Sequence, residues 1–222
     1  MIRRLINLDR TLESARAWAT WATCLPLVLV LSGCVAAVAT GVGAGALMVT
    51  DRRAAETYVT DEGIELRAAD RIKDNFGRKV RVSVVSYNRN VLLVGQVPDE
   101  ATKVEAEKLV GGVPNVKAIS NELQIGSAQS LTGESSDAYI TTKVKARFVD
   151  ANKFATNHVK VVTEAGVVYL LGIVTQREAD AAVEIARTTA GVQKVVRVFE
   201  IISDQDARQI DNRSPPDTGK KS

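Results

Sequence analysis

Val91-Leu-Leu-Val-Gly-Gln-Val97 and Val168-Tyr-Leu-Leu-Gly-Ile-Val174 are near-copies lying 77 residues apart. A phrase that returns at a fixed offset is the signature of a duplicated structural unit. Working outward strengthens the match. Upstream, Val80-Arg-Val-Ser-Val-Val85 corresponds in character to Val159-Lys-Val-Val162, and downstream Gly112-Val-Pro-Asn-Val116 answers Ala190-Gly-Val192. Another β-branched stretch follows in each copy. The first repeat runs from Asp61 to Gly126 (61–126) and the second from Ser136 to Ser203 (136–203).

Both repeats read in the same order. A helical start, Ile64 to Asn75 or Tyr139 to Phe148, follows candidate N-caps at Thr60 or Asp61 and at Ser136 or Asp137. Two β-branched runs come next, joined by turns containing Asn88-Arg-Asn90 and Glu164-Ala-Gly166. A second helix begins after Pro98 in one copy and after Thr175 in the other, where Thr175 and Glu178 have the spacing of a capping box. On that helix Ala179, Ala182, Val183, Ala186 and Ala190 fall on one apolar face. A last strand closes the unit, with Ile119, Leu123 and Ile125 expected to share a face. The predicted fold is α+β. Two tandem α-β-β-α-β repeats each form a three-stranded mixed sheet with both helices on one face, the second helix serving as crossover.

Composition narrows the chemistry. The 29 Lys and Arg against 26 Asp and Glu leave a net charge of +3 over 222 residues, too small a basic excess for sequence-independent nucleic-acid binding. His158 is the only histidine, so no multi-histidine metal site or two-histidine acid/base scheme can be built. Cys24 and Cys34 are the only cysteines, and both precede the repeats, which therefore hold no disulfide, thiolate nucleophile or Cys-rich zinc site. No catalytic residue, metal or cofactor is expected.

The first fifty residues read as an address. Arg3, Arg4, Arg10 and Arg16 precede an uncharged run from Ala17 to Thr50. That run is long enough to span a bilayer as a helix. Its internal order argues instead for export: a basic stretch, the apolar block Leu25-Pro-Leu-Val-Leu-Val-Leu31, then Leu31-Ser-Gly-Cys34. The last four residues resemble the lipobox of bacterial lipoproteins. The resemblance implies a signal peptide over 1–33, cleavage after Gly33 and acylation (including palmitate-type chains) at Cys34. Val35, rather than Asp, follows the cysteine. In Gram-negative lipoproteins that implies the outer membrane, with the body facing the periplasm. Gly41-Val-Gly-Ala-Gly45 has the spacing of a dinucleotide fingerprint but lies outside any strand–helix unit, so it is read as part of a flexible Ala/Gly/Val linker over 34–60.

Two repeats whose Val/Leu-rich strand ends in Gly-x-Val, behind a lipobox, resemble BON domains in the dual-BON-domain outer-membrane lipoproteins. Cys34-Val-Ala-Ala, Asp51-Arg-Arg53, Ile64-Glu-Leu-Arg67, Val91-Leu-Leu-Val-Gly-Gln96 and Ile140-Thr-Thr-Lys-Val144 carry the resemblance, which extends from Leu31 to Ile202. It implies a non-enzymatic protein that binds anionic phospholipid and supports envelope integrity. The alternative function is a periplasmic adaptor that binds envelope proteins through an exposed sheet edge. Residues 204–222 lie outside the resemblance and are expected to form a disordered tail.

The candidate lipid site is the first helix of repeat two. Ile140, Val144 and Phe148 recur every four residues and are assigned to the core. Tyr139, Lys143 and Arg147 form the adjoining stripe with Lys145 on its flank. An aromatic ring beside basic side chains suits a phospholipid headgroup layer. The corresponding stretch of repeat one, Ile64 to Arg71, mixes in acids and lacks an aromatic, which makes repeat two the better membrane reader. Gly95 and Gly172 are read as marking a bulge or a close backbone contact within their strands, the alternative being that they shape a ligand pocket. His158, just before the strand Val159–Val162, is expected at the surface, the alternative being a pH sensor.

Overall fold

The structure, a computed structural model, describes residues 51–126 and 131–212, with the side chains of 131 and 132 excepted. The expected signal segment, Cys34, the Gly41–Gly45 motif and residues 213–222 lie outside the described residues. Repeat one contains α1 (Ala55–Phe76), β1 (Arg81–Tyr87), β2 (Asn90–Val97), α2 (Glu100–Gly111), β3 (Ala118–Asn121) and β4 (Gln124–Ile125). Repeat two contains α3 (Leu131–Ala151), β5 (Lys160–Glu164), β6 (Val167–Thr175), α4 (Gln176–Arg187) and β7 (Lys194–Ile202), followed by α5 (Asp204–Asp211). In each sheet the first two strands pair antiparallel, and the middle strand pairs parallel with the last after the helical crossover. The Thr175/Glu178 capping box forms as expected and starts α4.

The expected helix starts are wrong in both repeats, and for one reason. α1 begins at Ala55 and α3 at Leu131, so neither Thr60 or Asp61 nor Ser136 or Asp137 is an N-cap. Asp61 and Asp137 are buried inside their helices and serve a hairpin instead. Asp61 accepts from the amides of Asn88 (2.8 Å) and Arg89 (2.7 Å), and from Ser86 Oγ (2.6 Å). Asp137 accepts from the amides of Ala165 (2.7 Å) and Gly166 (2.8 Å). These are the two-residue turns of the β1–β2 and β5–β6 hairpins. All four residues have positive φ: 51° and 64° at Asn88 and Arg89, 50° and 74° at Ala165 and Gly166. A left-handed backbone costs a non-glycine residue roughly 1–2 kcal/mol. The carboxylate under each turn offsets that cost by satisfying both exposed-side amides.

The early start of α1 also corrects the linker. Helix already runs from Ala55, inside the segment expected to be flexible as far as residue 60. At the other end, the expected tail begins with α5. Ser203 Oγ accepts from the Asp206 amide to cap α5, and Ala207 is buried against the body. Two smaller expectations fail where strands or helices stop. Helix α4 ends at Arg187, leaving Ala190 exposed beyond it. The last strand of repeat one is interrupted at Glu122–Leu123, so that Leu123 is buried in the core while Ile125, paired with Val97 at the sheet's end, is 57% exposed.

Gly95 and Gly172 do mark close backbone contacts. A Cβ on Gly95 would stand 2.1 Å from the Arg81 carbonyl oxygen, and one on Gly172 would stand 2.3 Å from that of His158. Gly95 also has φ of 121°. The interruption between β3 and β4 lies opposite it, whereas β7 runs unbroken past Gly172.

Each repeat has its own core between helices and sheet. Ile64, Ala68 and Ile72 of α1 meet Val91, Leu93 and Val97 of β2 and Ala106 and Val110 of α2. Ile140, Val144 and Phe148 of α3 occupy the matching positions against Val168, Leu170 and Val174 of β6 and Ala179, Ala182 and Ala186 of α4. Phe148 meets Phe154 edge-on at 5.0 Å. The opposite faces of the two sheets pack on each other. Tyr87, Leu92 and Val94 interleave with Tyr169, Leu171 and Ile173 to form a third cluster. The result is a helix–sheet–sheet–helix sandwich. A unit of this size buries only about 60% of its chain's surface alone, and the seam supplies the second buried face. Burial in this seam, followed by Glu122 and Glu164, pushes the Tyr169 phenol up to about 12. Polar links fasten the rim: Gln96 to Glu164 (2.8 Å), Lys160 to Glu65 (3.1 Å) and Asn88 to Glu200 (2.7 Å).

Candidate functional site

Helix α3 turns its apolar face inward and leaves Tyr139, Lys143, Lys145 and Arg147 outside the core. Tyr139 is 64% exposed, an unusual position for a large aromatic side chain. The Lys143 ammonium sits 4.6 Å from its ring centroid, a cation–π pair that holds a positive charge over an exposed aromatic face. Lys143 Nζ also donates to the Ala190 carbonyl, just beyond the end of α4. Lys145 is exposed, but two residues from both Lys143 and Arg147 it stands on a different side of α3 and not on the flank of the stripe.

Arg147 is placed differently. Its Nη1 donates to the Ile185 carbonyl (2.9 Å), Thr189 Oγ1 (2.9 Å) and Thr188 Oγ1 (3.1 Å), all at the C-terminal end of α4. A helix end leaves carbonyls unpaired and carries partial negative charge, so a guanidinium there is stabilising. Repeat one does the same thing: Arg71 Nη1 donates to the Leu109 carbonyl at 3.0 Å, at the end of α2. The duplicated contact assigns Arg147 a packing role, with part of its guanidinium left at the surface beside Lys143.

A second cluster, at the other end of α4, was not found from the sequence. Arg52 lies in the short arm before α1, and its side chain is buried in repeat two. It grips two carboxylates, each bidentately. Nη1 and Nη2 donate to Glu178 at 2.6 and 3.0 Å, while Nε and Nη2 donate to Asp211 at 2.8 and 2.9 Å. Nη1 also donates to the Ile173 carbonyl at 3.0 Å. All five N–H donors are used. Burial alone would lower the Arg52 pKa, but the bonds it donates to Asp211 and Glu178 carry it well above its ordinary value. Neighbouring Arg53 turns into repeat one. It pairs with Asp51 (2.7 Å) and Asp61 (2.9 Å), and its guanidinium stacks between the rings of Tyr87 (4.2 Å) and Tyr58 (4.7 Å). Two adjacent arginines thus fasten the arm to both repeats. The only sequence signal was the charge triplet Asp51-Arg52-Arg53 directly after a long uncharged run.

His158, expected at the surface, is 8% exposed and lies under Arg52. Its Nδ1 is 3.6 Å from Glu178 Oε1 and its Nε2 3.8 Å from Asp211 Oδ1. Burial, then the charge of Arg52, holds the imidazole below the ordinary histidine value. Burial would raise the Glu178 carboxyl, yet its bonds with Arg52 and the Thr175 amide hold it below the usual carboxylate range. Among the described residues, no group of three or more His, Cys, Asp and Glu side chains is placed to hold a metal ion. No helix among them is long and apolar enough to cross a membrane.

The class is thus an α+β protein built from a duplicated α-β-β-α-β unit, with a basic-aromatic helix on the outside of the second copy. The BON domain model matches residues 60–127 and 136–203, and the chain belongs to the BON-domain family. It is 41% identical over 181 residues to Outer membrane lipoprotein DolP of Haemophilus influenzae, covering 80% of this chain and 93% of that protein. It is 37% identical to the 21 kDa hemolysin of Actinobacillus pleuropneumoniae, over 68% of this chain and 79% of the relative. Osmotically-inducible protein Y of Escherichia coli is 32% identical over 62% of this chain and 71% of its own length.

Proposed function

We propose that the protein is a non-enzymatic lipoprotein of the Gram-negative outer membrane. In this reading acyl chains on Cys34 hold it, the body faces the periplasm, and helix α3 binds anionic phospholipid and so supports envelope integrity. The observation that carries the lipid site is Tyr139, left exposed on α3 with Lys143 over its ring. Arg147 adds charge at the edge while it holds the end of α4. An aromatic ring reaches headgroup depth, and each basic side chain near an anionic surface contributes on the order of 1 kcal/mol. Two or more acylation signals give firm anchoring, whereas one chain holds only reversibly.

The geometry is compatible with binding the membrane that carries the anchor. The segment from Val35 to Asp51 can span at most ~60 Å at about 3.5 Å per residue. The arm is clamped at the N-terminal end of α4, and the basic stripe lies past its C-terminal end, about 18 Å along a twelve-residue helix. The tether therefore allows α3 to face its own membrane.

Co-sedimentation of the soluble body, starting after Cys34, with vesicles tests the reading. Binding should require anionic lipid, weaken with salt, and disappear in the Tyr139→Ala, Lys143→Glu double variant. Absence of binding at every lipid composition would instead favour the adaptor that recruits an envelope protein. Cys34→Ala should leave a larger, unacylated precursor; an unmodified, uncleaved wild-type N-terminus in mass spectrometry would defeat the anchor assignment.

A further inference from the structure

We propose that Arg52, Glu178, Asp211 and His158 form a proton-sensitive latch, which holds the N-terminal arm and helix α5 on repeat two while His158 is neutral and releases them together when it is protonated. The cluster lies at the opposite end of α4 from the lipid stripe and does not depend on that site.

Arg52 and His158 face the same two carboxylate oxygens. Glu178 Oε1 receives Arg52 Nη2 at 3.0 Å and lies 3.6 Å from His158 Nδ1. Asp211 Oδ1 receives Arg52 Nε at 2.8 Å and lies 3.8 Å from His158 Nε2. A neutral imidazole carries a single N–H and so contests at most one of the two oxygens, and His158 Nδ1 is buried with no hydrogen-bond partner of its own. An imidazolium would have two donors aimed at the same two oxygens, and it would set a second positive charge beside Arg52 in a buried site. It competes with the arginine for its acceptors and repels it.

Three elements face the imidazole with charge: the arm through Arg52, α4 through Glu178 and α5 through Asp211. Only Glu178 is fixed independently, by its bond from the Thr175 amide at 2.8 Å and its place in the α4 cap. Arg52 lies three residues before the start of α1, and Asp211 is the last residue of α5. Both ends of the described stretch therefore meet at one guanidinium, and losing its grip undocks α5 and detaches the arm from repeat two, leaving Arg53 to hold the arm on repeat one. The sign follows from linkage. The docked state holds His158 below its ordinary titration range, so the released state binds more protons and gains population as pH falls through that range. One proton limits the response to about tenfold per pH unit.

Hydrogen exchange on the full chain in detergent micelles reads the latch directly. Between about pH 7.5 and about pH 5.5, and after correction for intrinsic exchange, peptides over 51–56 and 204–211 should lose protection together while β2 and β6 keep theirs. In His158→Gln both segments should exchange independently of pH. A wild-type response that is flat, or one that persists in His158→Gln, overturns the proposal. A second measurement does not need that variant. His158 is the only histidine, so its ring resonance in a nuclear magnetic resonance titration is unambiguous. By reciprocity, Arg52→Gln must raise its midpoint, and a midpoint that is unchanged or lower refutes the latch.

Discussion

Replacing Asp61 with alanine separates two descriptions of the same residue by magnitude. A helix N-cap replaced by alanine costs about 1 kcal/mol. The structure demands more. Asp61 is 2% exposed and accepts from the Asn88 and Arg89 amides, Ser86 Oγ and Arg53 Nη1, all within 2.6–2.9 Å. Hydrogen bonds to a charged group are worth about 1.5–3 kcal/mol each and do not add, and removing one member of a buried ion pair costs about 3–5 kcal/mol. The alanine also leaves two consecutive left-handed residues with no acceptor beneath them. We therefore expect Asp61→Ala to cost ~3–5 kcal/mol. For a body of this size each kcal/mol lowers the melting temperature by about 2–4 °C, so the drop should be roughly 6–20 °C. Urea unfolding followed by circular dichroism gives the free energy without a temperature extrapolation. Asp61→Asn, which keeps one acceptor oxygen and loses the charge, should fall between wild type and alanine. A loss of 1 kcal/mol or less for Asp61→Ala would mean that the carboxylate does not organise the hairpin.

Gly95→Ala and Gly172→Ala should each destabilise by at least about 2–3 kcal/mol through overpacking, since each new Cβ would stand within 2.3 Å of a carbonyl oxygen; wild-type-like melting of either variant would contradict the backbone contact. Phe148→Ala should cost about 3–5 kcal/mol, whereas Tyr139→Ala should stay within about 0.5 kcal/mol, as denaturant titration will show. Leu171→Ala at the seam should cost about 2–5 kcal/mol and lower both repeats in one cooperative transition, and two resolved transitions in calorimetry would refute the joint core.

The sequence by itself determined the repeat, because the duplicated strand phrase and the period of apolar residues are local properties that the backbone geometry translates directly into strands, helices and faces. Ile140, Val144 and Phe148 were assignable to the core, and Tyr139 to the outside, from spacing alone. The Thr175/Glu178 cap was legible for the same reason: its partners lie three residues apart. Asp61 and Asp137 were visible as equivalent residues but not as hairpin anchors. A buried aspartate within a helix and an aspartate at its start look alike until the fold brings a turn beneath one of them. Only the tertiary structure decided that Arg147 supports the end of α4, that His158 is buried, and that Arg52 reaches Glu178 and Asp211 across 126 and 159 residues of chain. Such pairings depend on how helices, arm and sheet pack together in three dimensions, and no short-range periodicity encodes which charged side chains that packing will bring together.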